Sequence, residues 1–140
     1  MVDIDIEYQG DLHCRATHGP SASVLETDAP VDNHGRGETF SPTDLVATGL
    51  GSCMVTLMGI RARERELTLT GTRVHVKKHM TATPPRRIAR LAVDIVVPAE
   101  LATAVDGPTR ELLEHAALTC PVRLSLLDAI EVPVSFDWQG

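Results

Sequence analysis

Two of the three cysteines lie in contexts that suit thiol chemistry. Cys53 is at the centre of GLGSCMVTLMGI, residues 49–60, which carries no charge. Cys120 directly precedes Pro121, and proline favours the first position of a helix. Cys120 is therefore a predicted N-cap, where unpaired N–H groups and the helix dipole lower a thiol pKa. On this local chemistry we expect Cys120 to be the more acidic of the two thiols.

Cys53 needs help from elsewhere in the fold if it is to react. It lies about three turns into its predicted helix, where apolar burial raises a thiol pKa. A cation must then be supplied, and Arg15 and Arg36 are the candidates with sequence support. Two such thiols suggest a dithiol redox pair, in which one becomes a sulfenic acid and the other condenses with it to a disulfide. The alternative for each is an inert core residue, because free cysteine is commonly buried.

The segment HCRATH offers His13, Cys14 and His18 as potential metal ligands. In a strand, positions 13 and 18 point to opposite faces, so these residues cannot jointly hold one ion. We therefore expect no metal site here and interpret Cys14 as a core residue beside Leu12. A second polar run, RVHVKKH, forms the basic face of one predicted strand. We interpret that face as solvated or edge-protecting rather than as a binding patch.

Composition narrows the class of protein. The 140 residues are 43% hydrophobic, which suits a single domain over residues 1–140. A net charge of −6 and few aromatic residues argue against nucleic acid or an anionic membrane as partner. No signal peptide is recognisable, and the longest uncharged run, residues 45–60, is shorter than the roughly 20 residues that a membrane span needs. We expect a cytoplasmic protein, and the odd, low cysteine count argues against a disulfide scaffold.

Hydrophobic periodicity predicts an α+β domain of order βββ-α-ββ-α-α-β, with strands wrapping a long buried helix. The long helix should run from about Pro42 to about Glu66 and be buried nearly all round, because residues 45–60 are almost entirely apolar or glycine. A second helical region is predicted over residues 98–117, and the segment DGP, residues 106–108, offers a break within it. A short helix follows Cys120. The predicted strands cover residues 2–9, 12–17, 21–26, 73–80, 88–97 and 130–138.

Two segments together resemble a known family. FSPTDLVATGLGSCMVTLM is similar to the helix around the peroxidatic cysteine of the OsmC/Ohr family, the osmotically inducible and organic-hydroperoxide-resistance proteins. HAALTCPVRLSLLDAIEVPVSF resembles the second motif of that family: an alanine-rich helix, Cys-Pro, a short helix and a final strand. The element order and the separation of the cysteines fit as well, so the resemblance spans nearly the whole chain.

The resemblance implies an OsmC-like fold in an intertwined homodimer with active sites at the subunit interface. It implies thiol-dependent reduction of organic hydroperoxides, with Cys53 peroxidatic, Cys120 resolving and a Cys53–Cys120 disulfide. The family's activating arginine is most nearly matched by Arg15, and Arg36 could serve instead. The expected reductant is an external dithiol, of lipoyl type for example, with no bound cofactor.

One departure separates this chain from typical hydroperoxide-resistance proteins, which carry a glutamate directly after the helix-starting proline. Here that position is Thr43, and Asp44 is rotated from it by about 100° on the helix. This favours a general OsmC-like member with a weaker activity or another substrate. Two other functions remain open: a small-ligand-binding or redox-sensing module, and a hot-dog thioesterase. The thioesterase leaves the Cys-Pro motif unexplained and lacks an acidic residue in the middle of the helix.

Overall fold

The computed structural model describes residues 1–139, and it divides the chain into two compact units, Met1–Val46 and Ala47–Gly140. Three strands, a long helix, two strands, three shorter helices and a final strand follow one another. The predicted α+β class and element order are confirmed, with the interruption at DGP separating two of the shorter helices.

The first unit contains an antiparallel sheet of order β1-β2-β3, formed by Ile4–Gly10, His13–His18 and Val24–Asp28. The third strand begins later than the predicted Ser21. Ala22 has a positive φ of 57°, and its N–H donates to the carbonyl of His18 at 2.8 Å. This turn keeps the chain out of the extended conformation until Val24.

Helix α1 is Pro42–Arg63. Ser41 and Asp44 cap its start reciprocally: the Ser41 N–H donates to Asp44 Oδ2 at 2.8 Å, and the Asp44 N–H donates to Ser41 Oγ at 3.1 Å. The helix ends before the predicted Glu66, because Glu66 adopts a positive φ of 57° and the Leu67 N–H turns back to the Ala62 carbonyl.

Burial of α1 differs from the prediction. The residues that the chain buries lie along one face of the helix: Ala47, Leu50, Gly51, Met54, Met58 and Ala62. The prediction of burial nearly all round is therefore wrong for the single chain. By length and composition alone α1 could also cross a membrane, and 33% of its most apolar 18-residue window is buried.

The second unit contains a mixed sheet of order β4-β5-β6, formed by Arg73–Met80, Ile88–Val97 and Val134–Trp138. β4 is antiparallel to β5, and β6 is parallel to it. β6 begins after Pro133 rather than at the predicted Ile130, because proline has no N–H for a strand ladder. The buried side chains of β5, Leu91, Val93 and Ile95, join the buried face of α1 in one core.

Three helices connect β5 to β6: α2 Ala99–Ala104, α3 Gly107–Leu118 and α4 Pro121–Ser125. Asp106 caps α3 by accepting the Thr109 N–H at 2.8 Å, which also lowers the pKa of the Asp106 carboxyl. α3 contributes Leu113 and Ala117 to the core and delivers the chain to Cys120 at its end.

Gly51 allows α1 to approach β4 closely. A Cβ atom at this position would lie 2.9 Å from Val76 Cγ2 and 3.1 Å from Val74 Cγ1. A larger side chain would push the helix away from the sheet, at a cost of about 1–3 kcal/mol for overpacking. The contact sets the depth of the helix segment that carries Cys53.

Candidate dithiol site

Cys53 lies on α1 at the margin of the core. Its side chain is partly buried and packs against the buried cluster. One turn earlier, a Cβ at Gly49 would meet no atom within 4 Å. The chain therefore leaves open space at this glycine rather than packing another backbone against it. The Cys53 side chain thus packs against apolar core residues on one side and lies beside open space at the preceding helical turn.

Cys120 is the N-cap of α4, as predicted from Cys-Pro. Its Sγ accepts the Arg123 backbone N–H at 3.4 Å, within the range for a sulfur acceptor. The residue is fully buried, at 0% exposure, and belongs to the core itself. α4 has five residues, so the dipole behind the sulfur is short.

The fold brings the two thiols together. Burial raises the pKa of Cys120; the Arg123 N–H opposes this, and a hydrogen bond and the charge of Cys53 raise the pKa further. The prediction that the start of a helix lowers the pKa of Cys120 is therefore contradicted. Desolvation outweighs what one backbone donor and a five-residue helix contribute.

The effect of Cys53 on the pKa of Cys120 links the protonation of the two thiols. A Cys53 thiolate beside Cys120 favours the protonated form of Cys120, which can then donate its S–H to the Cys53 sulfur. Two adjacent thiolates would repel each other in a poorly solvated site.

Removal of Cys53 should lower the pKa of Cys120. We expect the Cys53→Ser variant, compared in a Cys14→Ser background, to form its Cys120 thiolate at lower pH, because the neighbouring charge is gone. Ultraviolet absorbance of the thiolate during a pH titration measures this. The raised folded-state pKa also means that the stabilisation from neutral Cys120 is fully present below the unfolded-state pKa and is lost as pH rises through the folded-state value. An unchanged titration of Cys120 would show that Cys53 exerts no influence on it.

Both candidate arginines lie in the first unit. Arg15 is exposed on β2, in register with Glu7 on β1 and Glu26 on β3. Arg36 lies in the segment between β3 and α1, with its Nη2 3.4 Å from Asp28 Oδ1. The structure thus places Arg36 in an ion pair and leaves Arg15 facing two carboxylate-bearing strands.

Asp28 is a polar residue that sequence reasoning missed. It is buried at 1% exposure and accepts from three groups: His13 Nδ1 at 2.5 Å, the Arg36 guanidinium, and the Glu38 N–H at 3.0 Å. The His13 hydrogen bond is the main cause that lowers the Asp28 pKa; burial opposes it, and the Glu38 N–H and Arg36 add to the lowering. The structural role of His13 is thus to hold a carboxylate. Within residues 1–139, no group of three or more His, Cys, Asp or Glu side chains is placed to hold a metal ion.

Thr43 stands at the position where typical hydroperoxide-resistance proteins carry a glutamate. Thr43 Oγ1 lies 3.2 Å from Ser41 Oγ, within the cap of α1. The neighbouring Asp44 carboxylate accepts the Ser41 N–H in the same cap. Asp44 therefore contributes to the start of the helix instead of reproducing the geometry of a glutamate at position 43.

The fold is α+β, and it places one cysteine within a long helix and a second at the N-cap of a short helix. These features define the class of protein to which the chain is compared. The sequence model described as OsmC-like protein matches residues 35–135, and the chain belongs to the OsmC-like family. No curated protein sequence was found to match the chain.

Solved structures agree with this assignment. A protein from Psychrobacter arcticus 273-4, named for osmotic stress induction and a detoxification response, is 43% identical, with a TM-score of 0.88 over 97% of this chain and 96% of that one. The organic hydroperoxide resistance protein OsmC of Legionella pneumophila is 16% identical, with a TM-score of 0.74 over 98% and 96%. OhrB of Bacillus subtilis is 14% identical, with a TM-score of 0.65 over 98% of each chain. The last two show similarity of fold alone.

Proposed function

We propose that this protein is a thiol-dependent peroxidase that reduces organic hydroperoxides through Cys53 and Cys120. The observation that carries the proposal is the placement of the two thiols in one core cluster, where burial and the neighbouring Cys53 raise the pKa of Cys120. Membership of the OsmC-like family supports the proposal, as do the fold relatives named for organic hydroperoxide resistance.

In the first step the Cys53 thiolate attacks one oxygen of the hydroperoxide. The O–O bond breaks, Cys53 is oxidised to a sulfenic acid, and the substrate leaves as an alcohol once its alkoxide takes up a proton. The partly buried Cys53 offers an apolar surface suited to an alkyl chain. The open turn at Gly49 gives such a substrate room to approach.

In the second step Cys120 resolves the sulfenic acid. Its sulfur bonds to the Cys53 sulfur, the Cys53 S–O bond breaks, and the oxygen leaves as water with the Cys120 proton. A thiol that stays protonated until this moment can supply that proton directly. The step therefore makes use of the pKa that burial raises.

Reduction of the resulting disulfide needs an external dithiol, for which a lipoyl-type dithiol is our candidate. One sulfur of the dithiol attacks the disulfide and the second releases it, so that both cysteines return to thiols and the dithiol becomes a cyclic disulfide. The cycle requires no bound cofactor. It suits a reducing compartment such as the cytoplasm, where structural disulfides are rare.

We further propose that a guanidinium stabilises the Cys53 thiolate, with Arg15 and Arg36 as the two candidates. A close positive charge favours the thiolate form more strongly than the partial charge of a helix end. Arg36 already pairs with Asp28, so it could act with its orientation fixed. Arg15 has an exposed side chain on β2 that could turn toward a partner.

We propose that the working form is a homodimer, because the single chain leaves much apolar surface uncovered. On β1, Ile4, Ile6 and Tyr8 are 59%, 69% and 63% exposed. On α1, Cβ atoms at Gly49 and Gly59 would meet nothing within 4 Å. Contiguous apolar surfaces of this kind mark interaction sites. A second copy is a better occupant than an anionic membrane because the net charge is −6.

Reduced protein mixed with excess organic hydroperoxide tests the proposed activity. We expect rapid loss of about two thiols per chain, followed by continued consumption of peroxide when a dithiol is added. The thiols are counted with a chromogenic disulfide reagent under denaturing conditions. The Cys14→Ser variant is the control, and it should lose the same two thiols. No loss of thiol would contradict the peroxidase and favour a ligand-binding module.

A further inference from the structure

The two cysteines differ in how far a reductant can reach them. Cys53 is partly buried, whereas Cys120 is 0% exposed. In thiol–disulfide exchange a thiolate attacks one sulfur, the other sulfur leaves as a thiolate, and access helps to decide which sulfur is attacked. When the Cys53–Cys120 disulfide of the proposed function is reduced, the dithiol is therefore expected to attack Cys53, and Cys120 is the leaving group.

Cys120 is by itself a poor leaving group. Burial raises the pKa of its thiol, and more basic thiols leave more slowly. The backbone N–H of Arg123 donates to the Cys120 Sγ at 3.4 Å and acts to lower that pKa, but burial outweighs this single donor. A thiolate that leaves into this apolar site therefore needs a further positive charge close by.

The side chain of Arg123 is a cation on the side of α4 that faces the core. Val122, Arg123 and Leu126 are half-buried, and the two apolar ones pack against the hydrophobic core to which Cys120 belongs. The Arg123 Nε is buried, and within residues 1–139 it has no hydrogen-bond partner. In the same part of the chain the guanidinium forms no ion pair. A buried donor without an acceptor is destabilising, so the reduced protein gains no stability from this N–H.

Arg110 shows the contacts of a half-buried arginine with a structural role in the same unit. Its Nε is also buried and unpaired, but its Nη2 donates to the Ala102 carbonyl, and its guanidinium lies 5.1 Å from the centroid of the Trp138 ring. These contacts connect α3 to α2 and to β6. Within the described residues Arg123 has no comparable contact of its guanidinium, so bracing of the fold does not account for its charge.

We propose that the Arg123 guanidinium stabilises the Cys120 thiolate that leaves when the disulfide is reduced. The thiolate of the dithiol bonds to the Cys53 sulfur, the S–S bond breaks, and its electron pair stays on the Cys120 sulfur. The second thiol of the reductant gives its proton to Cys120 and displaces Cys53 as a thiolate, which closes the cyclic disulfide of the reductant. This role rests on the proposed function, and it belongs to the reductive step, whereas Arg15 and Arg36 are candidates for the peroxide step.

Single-turnover reduction of the preformed disulfide tests this role. The disulfide is made with a general thiol oxidant such as diamide, so the measurement does not depend on peroxidase activity. After mixing with excess dithiothreitol, samples are quenched in acid, alkylated and analysed by mass spectrometry. We expect Arg123→Met, which keeps an apolar stem without the charge, to slow reduction about tenfold, because the leaving thiolate loses its cation. Arg123→Lys should recover most of the wild-type rate.

Arg110→Met is the matched control, since it removes a half-buried arginine of the same unit by the same substitution, and it should be reduced at the wild-type rate. In a Cys14→Ser, Cys53→Ser background, Arg123→Met should also raise the pKa of Cys120, which a loss of packing alone would not do. An Arg123→Met disulfide reduced as fast as the wild type, or a lysine variant no faster than the methionine variant, would overturn the role of Arg123 while the peroxidase stands. A wild-type protein in which diamide links no Cys53–Cys120 pair would overturn both.

Discussion

The Cys53→Ser variant is expected to lose organic hydroperoxide consumption by at least about a hundredfold, because a serine hydroxyl stays protonated at neutral pH and is a weak nucleophile. Cys120 is a poor replacement, since it is enclosed in the core and burial raises the pKa of its thiol. Peroxide consumption in the presence of a dithiol, measured as initial rates, gives the comparison.

Cys14→Ser is the control for this loss, because it removes a thiol of β2 by the same substitution. It should keep nearly the wild-type rate. A Cys53→Ser variant that still turned over peroxide would reverse the roles of the two cysteines. Cys120 would then be the attacking thiol, and its raised pKa would need a different explanation.

The Cys120→Ser variant should behave differently from Cys53→Ser. The Cys53 thiolate is still present, so about one equivalent of peroxide should be reduced per chain, after which a sulfenic acid accumulates for lack of a resolving thiol. A sulfenic-acid-specific probe followed by mass spectrometry would place the label on Cys53. Turnover with a dithiol should fall strongly unless the dithiol itself can reach the sulfenic acid.

The position of the label decides between resolution by Cys120 and resolution by another thiol. With Cys14 and Cys120 both replaced by serine, the same single equivalent should be consumed and the same label found. If Cys120→Ser sustained the wild-type rate with every dithiol tested, Cys120 would not be the resolving residue, and its place beside Cys53 would be structural.

Much of the fold was predictable because the patterning is local. Alternation gave both ends of β4 and β5, and Ser41-Pro42 gave the start of α1. The errors occurred where backbone conformation overrides side-chain pattern. Positive φ at Ala22 and Glu66 shortened a strand and a helix. Burial of α1 was overestimated because apolar composition does not tell whether the covering surface comes from the same chain.

The site was predicted in part. Cys-Pro correctly gave Cys120 as an N-cap, but the sign of its pKa shift depends on burial, which the local sequence does not reveal. Asp28 was missed because its partners, His13 and Arg36, meet it through strand register and a loop rather than through sequence spacing. The register His13↔Asp28 was the missing information: once the pairing of β2 and β3 is known, the carboxylate and the imidazole are neighbours.

The disulfide formed by oxidation is the most direct test of the whole account. Reduced wild-type protein should be treated with a stoichiometric amount of organic hydroperoxide, blocked with an alkylating reagent, digested without reduction and mapped by mass spectrometry. We predict one linked pair, Cys53 with Cys120, with Cys14 alkylated, and a product that migrates as a single chain under denaturing, non-reducing conditions. Modification confined to Cys14, or a linked pair that omits Cys53, would contradict it.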